Sequence, residues 1–226
     1  IVAIAKSNTD IKLAYKGFSG AIGAEIMDQM KDAVKTVVED AVQLFEAKPV
    51  VPGEYQVICT PEVAGLIAHE AFGHGVEMDM FVKERSLAKE YIGKRVASDL
   101  VDMHDGALCA ENTSSYSFDD EGTVANDTLI IEKGILQTGI CDVLSALRLG
   151  HQPTGNGKRQ SFERKAYTRM TNTIFSAKED TLDEMIASIK HGYLLDGMQS
   201  GMEDPKNWGI QCILAKGYEI VDGKLN

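Results

Sequence analysis

Between Gly20 and Lys48 apolar side chains recur at Ile22, Ile26, Met30, Val34, Val37, Ala41 and Leu44, steps of three and four that put them on one face of an α-helix. Pro49 and Pro52 end that element, because proline cannot supply the amide donor a helix interior needs. The run YQVIC at 55–59 then reads as a short buried strand. Thr60 and Pro61 follow as a helix start, a capping hydroxyl and then proline where no donor is required. The helix beginning there carries His69 and Glu70, and Gly73 and Gly75 limit its continuation.

Farther along, TLIIEKGILQTGICD at 128–142 holds two apolar runs around a Glu-Lys-Gly turn, and the terminal KGYEIVDGKLN carries an Asp-Gly hairpin signal. Thr181 and Glu184 fit a capping box ahead of LDEMIASIK, with Gly192 as the C-terminal cap. Residues 150–165, GHQPTGNGKRQSFERK, are Gly-rich, polar and basic, and read as a loop. The pattern predicts an α+β fold: a domain rich in antiparallel β-sheet, with a long amphipathic helix and a second helix bearing His69. Residues 1–48 read as the end of a preceding region with its scaffold helix, and 49–226 as the main domain; Ile1 enters as though in mid-strand, so a longer protein is expected.

Composition narrows the partners. The chain has 226 residues, 44% apolar and 25% charged, as folded soluble domains do. No run of 18 apolar residues and no charged-then-apolar leader pattern is present, so the expectation is a cytoplasmic protein without a membrane partner. A net charge of -11 disfavours direct binding to nucleic acid. Cys59, Cys109, Cys141 and Cys212 are far apart with no CxxC, which points to thiols rather than disulfides and leaves a thiolate available as a metal ligand.

The chemistry concentrates in AHEAFGHGVE at 68–77. On a regular α-helix, side chains five apart are rotated by about 140°, so His69 and His74 could not share an ion. Gly73 offers a remedy: a residue free to leave the helical conformation can end or bulge the helix and swing His74 back, just beyond the regular helix. Glu70 then stands ready to accept a proton from an activated water, the arrangement of a zinc hydrolase. Catalytic zinc generally has three protein ligands, and spacing alone leaves Cys212, Glu77, Asp79, His104, Cys109, His151 and His191 as candidates for the third. Elsewhere, FDDEG at 118–122 suits a solvated turn. Lys158, Arg159, Arg164 and Lys165 suit a peptide carboxylate or an acidic partner as well as a plain exposed loop. Asn172, between threonines in a strand-like run, could bond an extended substrate backbone or serve structure; Arg169 and Asn156 complete the candidate substrate-binding set.

HEAFGHGVE resembles the HExxxH motif of the TldD/PmbA family of peptidases, also described as modulators of DNA gyrase. SFDDEGTVAND at 117–127, LRLGHQPTGNGKRQ at 147–160 and RMTNT at 169–173 match other family segments in the same order. The TldD-type subunit keeps HExxxH and its PmbA (TldE) partner lacks it, so this chain resembles the TldD type. The resemblance implies a zinc ion held by His69, His74 and Cys212, with Cys109 in reserve, and Glu70 as catalytic base. It implies a metallopeptidase acting on peptides or unstructured protein segments, paired with a TldE/PmbA-like subunit or a second copy of itself, the active site enclosed. The alternative is a non-catalytic partner or regulatory binding module, which has no need of an intact His-Glu-His set.

Overall fold

Hairpin connections set most of the architecture in the computed structural model, which describes residues 1–226. Strands β1 (Val2–Lys6) and β2 (Ile11–Tyr15) form an antiparallel ribbon against helix α1 (Ile26–Gln43). Strand β3 (Gln56–Cys59) leads into α2 (Pro61–Ala68), and α3 (Met78–Val82) follows after two tight or widened turns. The central part comprises β4 (Met103–Asp105), β5 (Thr128–Glu132), β6 (Ile135–Leu136) and α4 (Val143–Leu149). Next come β7 (Gly157–Lys158), β8 (Tyr167–Thr168), β9 (Thr173–Phe175) and α5 (Leu182–Ser188), and the chain closes with β10 (His191–Asp204), β11 (Gly209–Val221) and β12 (Lys224–Leu225).

Two four-stranded sheets result, ordered β12-β11-β10-β3 and β6-β5-β4-β9, and β7, inside the 150–165 segment expected to be a loop, pairs with β8 just beyond it as a separate small ribbon. The turns read from sequence are present. Lys133-Gly134 and Asp222-Gly223 both take left-handed conformations, at φ 46° and 76° and at 47° and 76°, the pair that matches the twist of adjoining strands. One pairing departs from the antiparallel expectation: β3 runs parallel to β10, from Gly192 opposite Gln56 to Leu195 opposite Cys59. No tight turn joins these distant segments, so nothing local forces antiparallel pairing. No helix is long and apolar enough to cross a membrane.

Gly192 accordingly has a different job from the helix cap expected of it. Helix α5 stops at Ser188 and is capped by Ile189, while a Cβ at Gly192 would lie 2.1 Å from the Gln56 carbonyl oxygen on the paired strand. Helix α1 is also shorter than the 20–48 span expected. Ala33, Val37 and Ala41 are buried, whereas Val34 of the expected stripe is exposed because only a narrow line of the helix meets the ribbon, and Ile22, also exposed, lies before the helix begins. At α5 both halves of the capping box form: the Thr181 hydroxyl accepts from the Glu184 amide and the Glu184 carboxylate accepts from the Thr181 amide. Thr181→Ala is expected to cost about 1 kcal/mol in urea unfolding. The bonds to the Glu184 carboxylate hold its pKa below the ordinary value, so that half of the box is present above the usual carboxylate range and fades as pH falls through the depressed pKa.

The main core joins the α2–α3 segment to the second sheet. Ala68, Val76, Met78, Phe81, Met103, Ile130, Ile131, Leu136 and Ile140 form one buried cluster. Burying each large aliphatic side chain is worth roughly 2 kcal/mol, so the segment between Ala68 and Val76 is pinned at both ends.

Candidate metal centre

Thr60 and Pro61 start α2 as the sequence signals, but the Thr60 hydroxyl makes no capping bond; position, not capping, is what the pair supplies. The helix is regular to Ala68, and residues His69–Gly73 then form a π-helical turn, with the His74 amide donating to the His69 carbonyl five residues back. A short 3₁₀ turn, His74–Val76, follows. His74 therefore lies just beyond the regular helix and the path bulges ahead of it, as expected, but Gly73 itself is right-handed, at φ -53° and ψ -58°, so the bulge does not come from a non-helical glycine. The helical path widens instead. With about 4.4 residues per π turn, five residues return to within about 50° of their starting direction. The imidazole centroids of His69 and His74 lie 4.6 Å apart. Gly73 serves packing: a Cβ there would sit 2.1 Å from the Met170 sulfur.

One donor atom each from His69, Glu70 and His74 lies within 4.8 Å of the others. Glu70 is 7% exposed, and its Oε2 is buried without a hydrogen-bond partner. Two imidazoles converging beside a buried carboxylate suit a divalent cation held by the histidines, with a water on that cation as a partner for the orphaned acceptor. Burial first, and then the negative charge of Glu203, raise the Glu70 pKa against the opposing pull of His74. Burial lowers His69, with the neighbouring His74 adding to it, while Glu77 raises His74.

The β10–β11 hairpin closes the other side. A Cβ at Gly201 would stand 2.1 Å from Glu70 Oε1, so that backbone lies directly against the carboxylate. Cys212 pairs with Gly201 across the hairpin, and directly opposed residues of antiparallel strands project to one face. The Cys212 thiol therefore faces the Glu70 side of the sheet, where burial and then the Glu70 charge raise its pKa; it is not among the three converging donors. Glu203 follows two residues after Gly201 on the same face. No sequence signal marks it, since a single exposed Glu in a strand becomes visible only once the hairpin register is known.

The remaining candidates are dispersed. Glu77 Oε2 lies 3.6 Å from His74 Nδ1 and 3.4 Å from the Arg169 guanidinium, a partner to the centre rather than part of the converging set. Asp79 pairs with Lys83 at 2.6 Å. His104 bonds Asp127, His191 bonds Glu219, and His151 is exposed in the segment after α4. The Cys109 thiol donates to the Asn172 carbonyl, and burial pushes it up to about 11. Asn156 is fully buried with its amide donating to Asp105 and to the Arg169 carbonyl. Asn172 is also buried and donates to Ala110 O and Ser115 Oγ. Both amide nitrogens are thus engaged within the chain, the structural role weighed for Asn172, whereas the Arg169 side chain is half exposed. FDDEG is a turn: Asp119 Oδ1 accepts from the Glu121 and Thr123 amides and its Oδ2 from the Gly157 amide.

Residues 52–226 match the family model described as the PmbA/TldA metallopeptidase C-terminal domain. A metalloprotease of Methanocaldococcus jannaschii is 32% identical over 222 residues, which are 98% of this chain and 49% of that relative. A zinc metalloprotease TldD homolog of Saccharolobus solfataricus is 34% identical over 174 residues, 76% of this chain and 39% of that protein. The crystal structure of TldE from Thermococcus kodakarensis superposes with a TM-score of 0.76 at 22% identity, covering 98% of this chain and 50% of that one. The chain thus spans about half the length of the curated relatives it matches.

Proposed function

The chain belongs to the PmbA/TldD metallopeptidase family, and from that premise we propose that it is a zinc-dependent peptidase cutting peptides or unstructured protein segments. The reading places the catalytic domain at 49–226, with 1–48 the end of a preceding region. The observation that carries it is the convergence of the His69, Glu70 and His74 donors within 4.8 Å, with one buried Glu70 oxygen unpartnered.

His69 and His74 would hold the ion, with Cys212, facing the same side of the hairpin, as third ligand. When bound, zinc supplies Lewis acidity, lowering the pKa of a water and polarising the scissile carbonyl. Burial lowers the His69 pKa and so favours the neutral ring, whose nitrogen lone pair a metal needs. The Glu70 carboxylate, made a stronger base by burial and by Glu203, takes the proton of the attacking water and returns it to the leaving amine nitrogen. Glu77, 3.6 Å from His74 Nδ1, would steady that ring. The substrate binds extended, as an added strand bonded through its main chain, which favours unfolded segments over folded proteins. A TldE/PmbA-like subunit or a second copy completes the enclosure.

Elemental analysis of the chain purified without chelator is expected to give one zinc per chain, and chelation to abolish cleavage of an unfolded peptide. Glu77→Gln is expected to weaken zinc affinity by about 10- to 100-fold in competition with a chromophoric chelator, the usual effect of removing a partner behind a ligating histidine. A chain that takes up no zinc on reconstitution would instead be the non-catalytic partner.

A further inference from the structure

The small β7–β8 ribbon frames a cleft of about 550 Å³ that the peptidase chemistry does not use. Its lining includes Lys158, Arg159, Arg164 and Arg169 and no acidic residue, in a chain whose net charge is -11. Arg169 pairs with Glu77; Asp120 meets Arg159 only through the backbone amide, leaving that guanidinium free. Lys165 and Arg169 also gather over the Tyr167 ring, at 4.7 Å and 5.9 Å from its centroid. Like charges collected in one concavity repel each other and draw in an anion.

Two contacts tie this cleft to the metal centre. Glu77 Oε2 is shared between Arg169 and His74, and Met170, which lines the cleft, packs against Gly73 within the π turn. An extended chain crossing the centre would therefore lay neighbouring residues over the cleft. Guanidinium groups match carboxylates through two parallel hydrogen bonds, whereas the overall negative charge opposes a phosphate polymer.

We propose that the Lys158–Arg159–Arg164–Arg169 cleft is a subsite for carboxylates of the peptide substrate, so that acidic segments beside the scissile bond are bound preferentially. This rests on the peptidase reading for its substrate, but it is tested by binding alone. Fluorescence anisotropy with the metal-free chain would compare an unfolded peptide containing internal glutamates with its glutamine counterpart, both C-terminally amidated. The acidic peptide is expected to bind at least about fivefold more tightly, the effect of one or two exposed charge pairs, with the difference fading in about 0.5 M salt. A third peptide, the glutamine form with a free C-terminus, separates the sources: tighter binding of that form alone assigns the cleft to the terminal carboxylate. The double variant Arg159→Gln/Arg164→Gln, in exposed loop positions, is expected to shrink the preference. Equal affinity for all three peptides, no binding of any, or a preference that survives the double variant would overturn the proposal. Loss of cleavage with the binding preference intact would count against the peptidase function and not against the subsite.

Discussion

Glu70→Gln is expected to reduce hydrolysis of an unfolded peptide by about 10³-fold, within the range that general acid–base groups supply, while zinc remains stoichiometric. Glutamine keeps the shape of the side chain and its contact with Gly201, and it leaves both imidazoles in place. What it loses is the ability to take a proton. The substitution also removes a buried carboxylate that sits beside Glu203 and has an unpartnered oxygen, so stability should hold or rise slightly. Turnover of a labelled peptide and elemental analysis of the same sample decide the matter. Near-wild-type cleavage by a fully zinc-loaded variant would remove Glu70 from the role of base.

Gly201→Ala should lower the same activity by about 100-fold although it replaces neither a ligand nor the base. The added methyl would lie 2.1 Å from Oε1, 2.5 Å from Cδ and 2.6 Å from Cγ of Glu70, so the carboxylate must move. A displacement of about 1 Å in a catalytic group costs on the order of 10² in rate. The methyl meets a side-chain end rather than backbone, so the hairpin is expected to keep its register and the chain its zinc. Unchanged kcat/KM in a folded Gly201→Ala variant would mean that the hairpin does not set the position of Glu70. The two variants together separate the chemistry of the carboxylate from its placement.

The physical origins of these expectations differ in how far they could be read in advance. The capping box at Thr181 and Glu184 and the left-handed hairpin turns at Lys133-Gly134 and Asp222-Gly223 were legible, because each depends on residues within a few positions of one another. The grouping of His69, Glu70 and His74 was legible as a motif, and so was a bulge ahead of His74, but not the part Gly73 plays in it. Glycine at 73 suggests conformational freedom, whereas its use is to admit the Met170 sulfur, a residue 97 positions away whose approach no local pattern announces. The same holds for Gly192, which reads as a cap and is instead small to admit the backbone of β3.

By itself the sequence determined the elements governed by short-range rules: turns, caps, the start of α2 and the presence of a two-histidine, one-glutamate motif. The tertiary structure alone decided what faces that motif. It set the hairpin register that puts Cys212, Gly201 and Glu203 on one side, drew Asn156 and Asn172 inward, and gathered the cations of the β7–β8 cleft beside the centre. The reason is range. A hydrogen bond within a turn is fixed by neighbouring dihedral angles, whereas contacts between residues 100 or more positions apart follow from how sheets and helices bury apolar surface together.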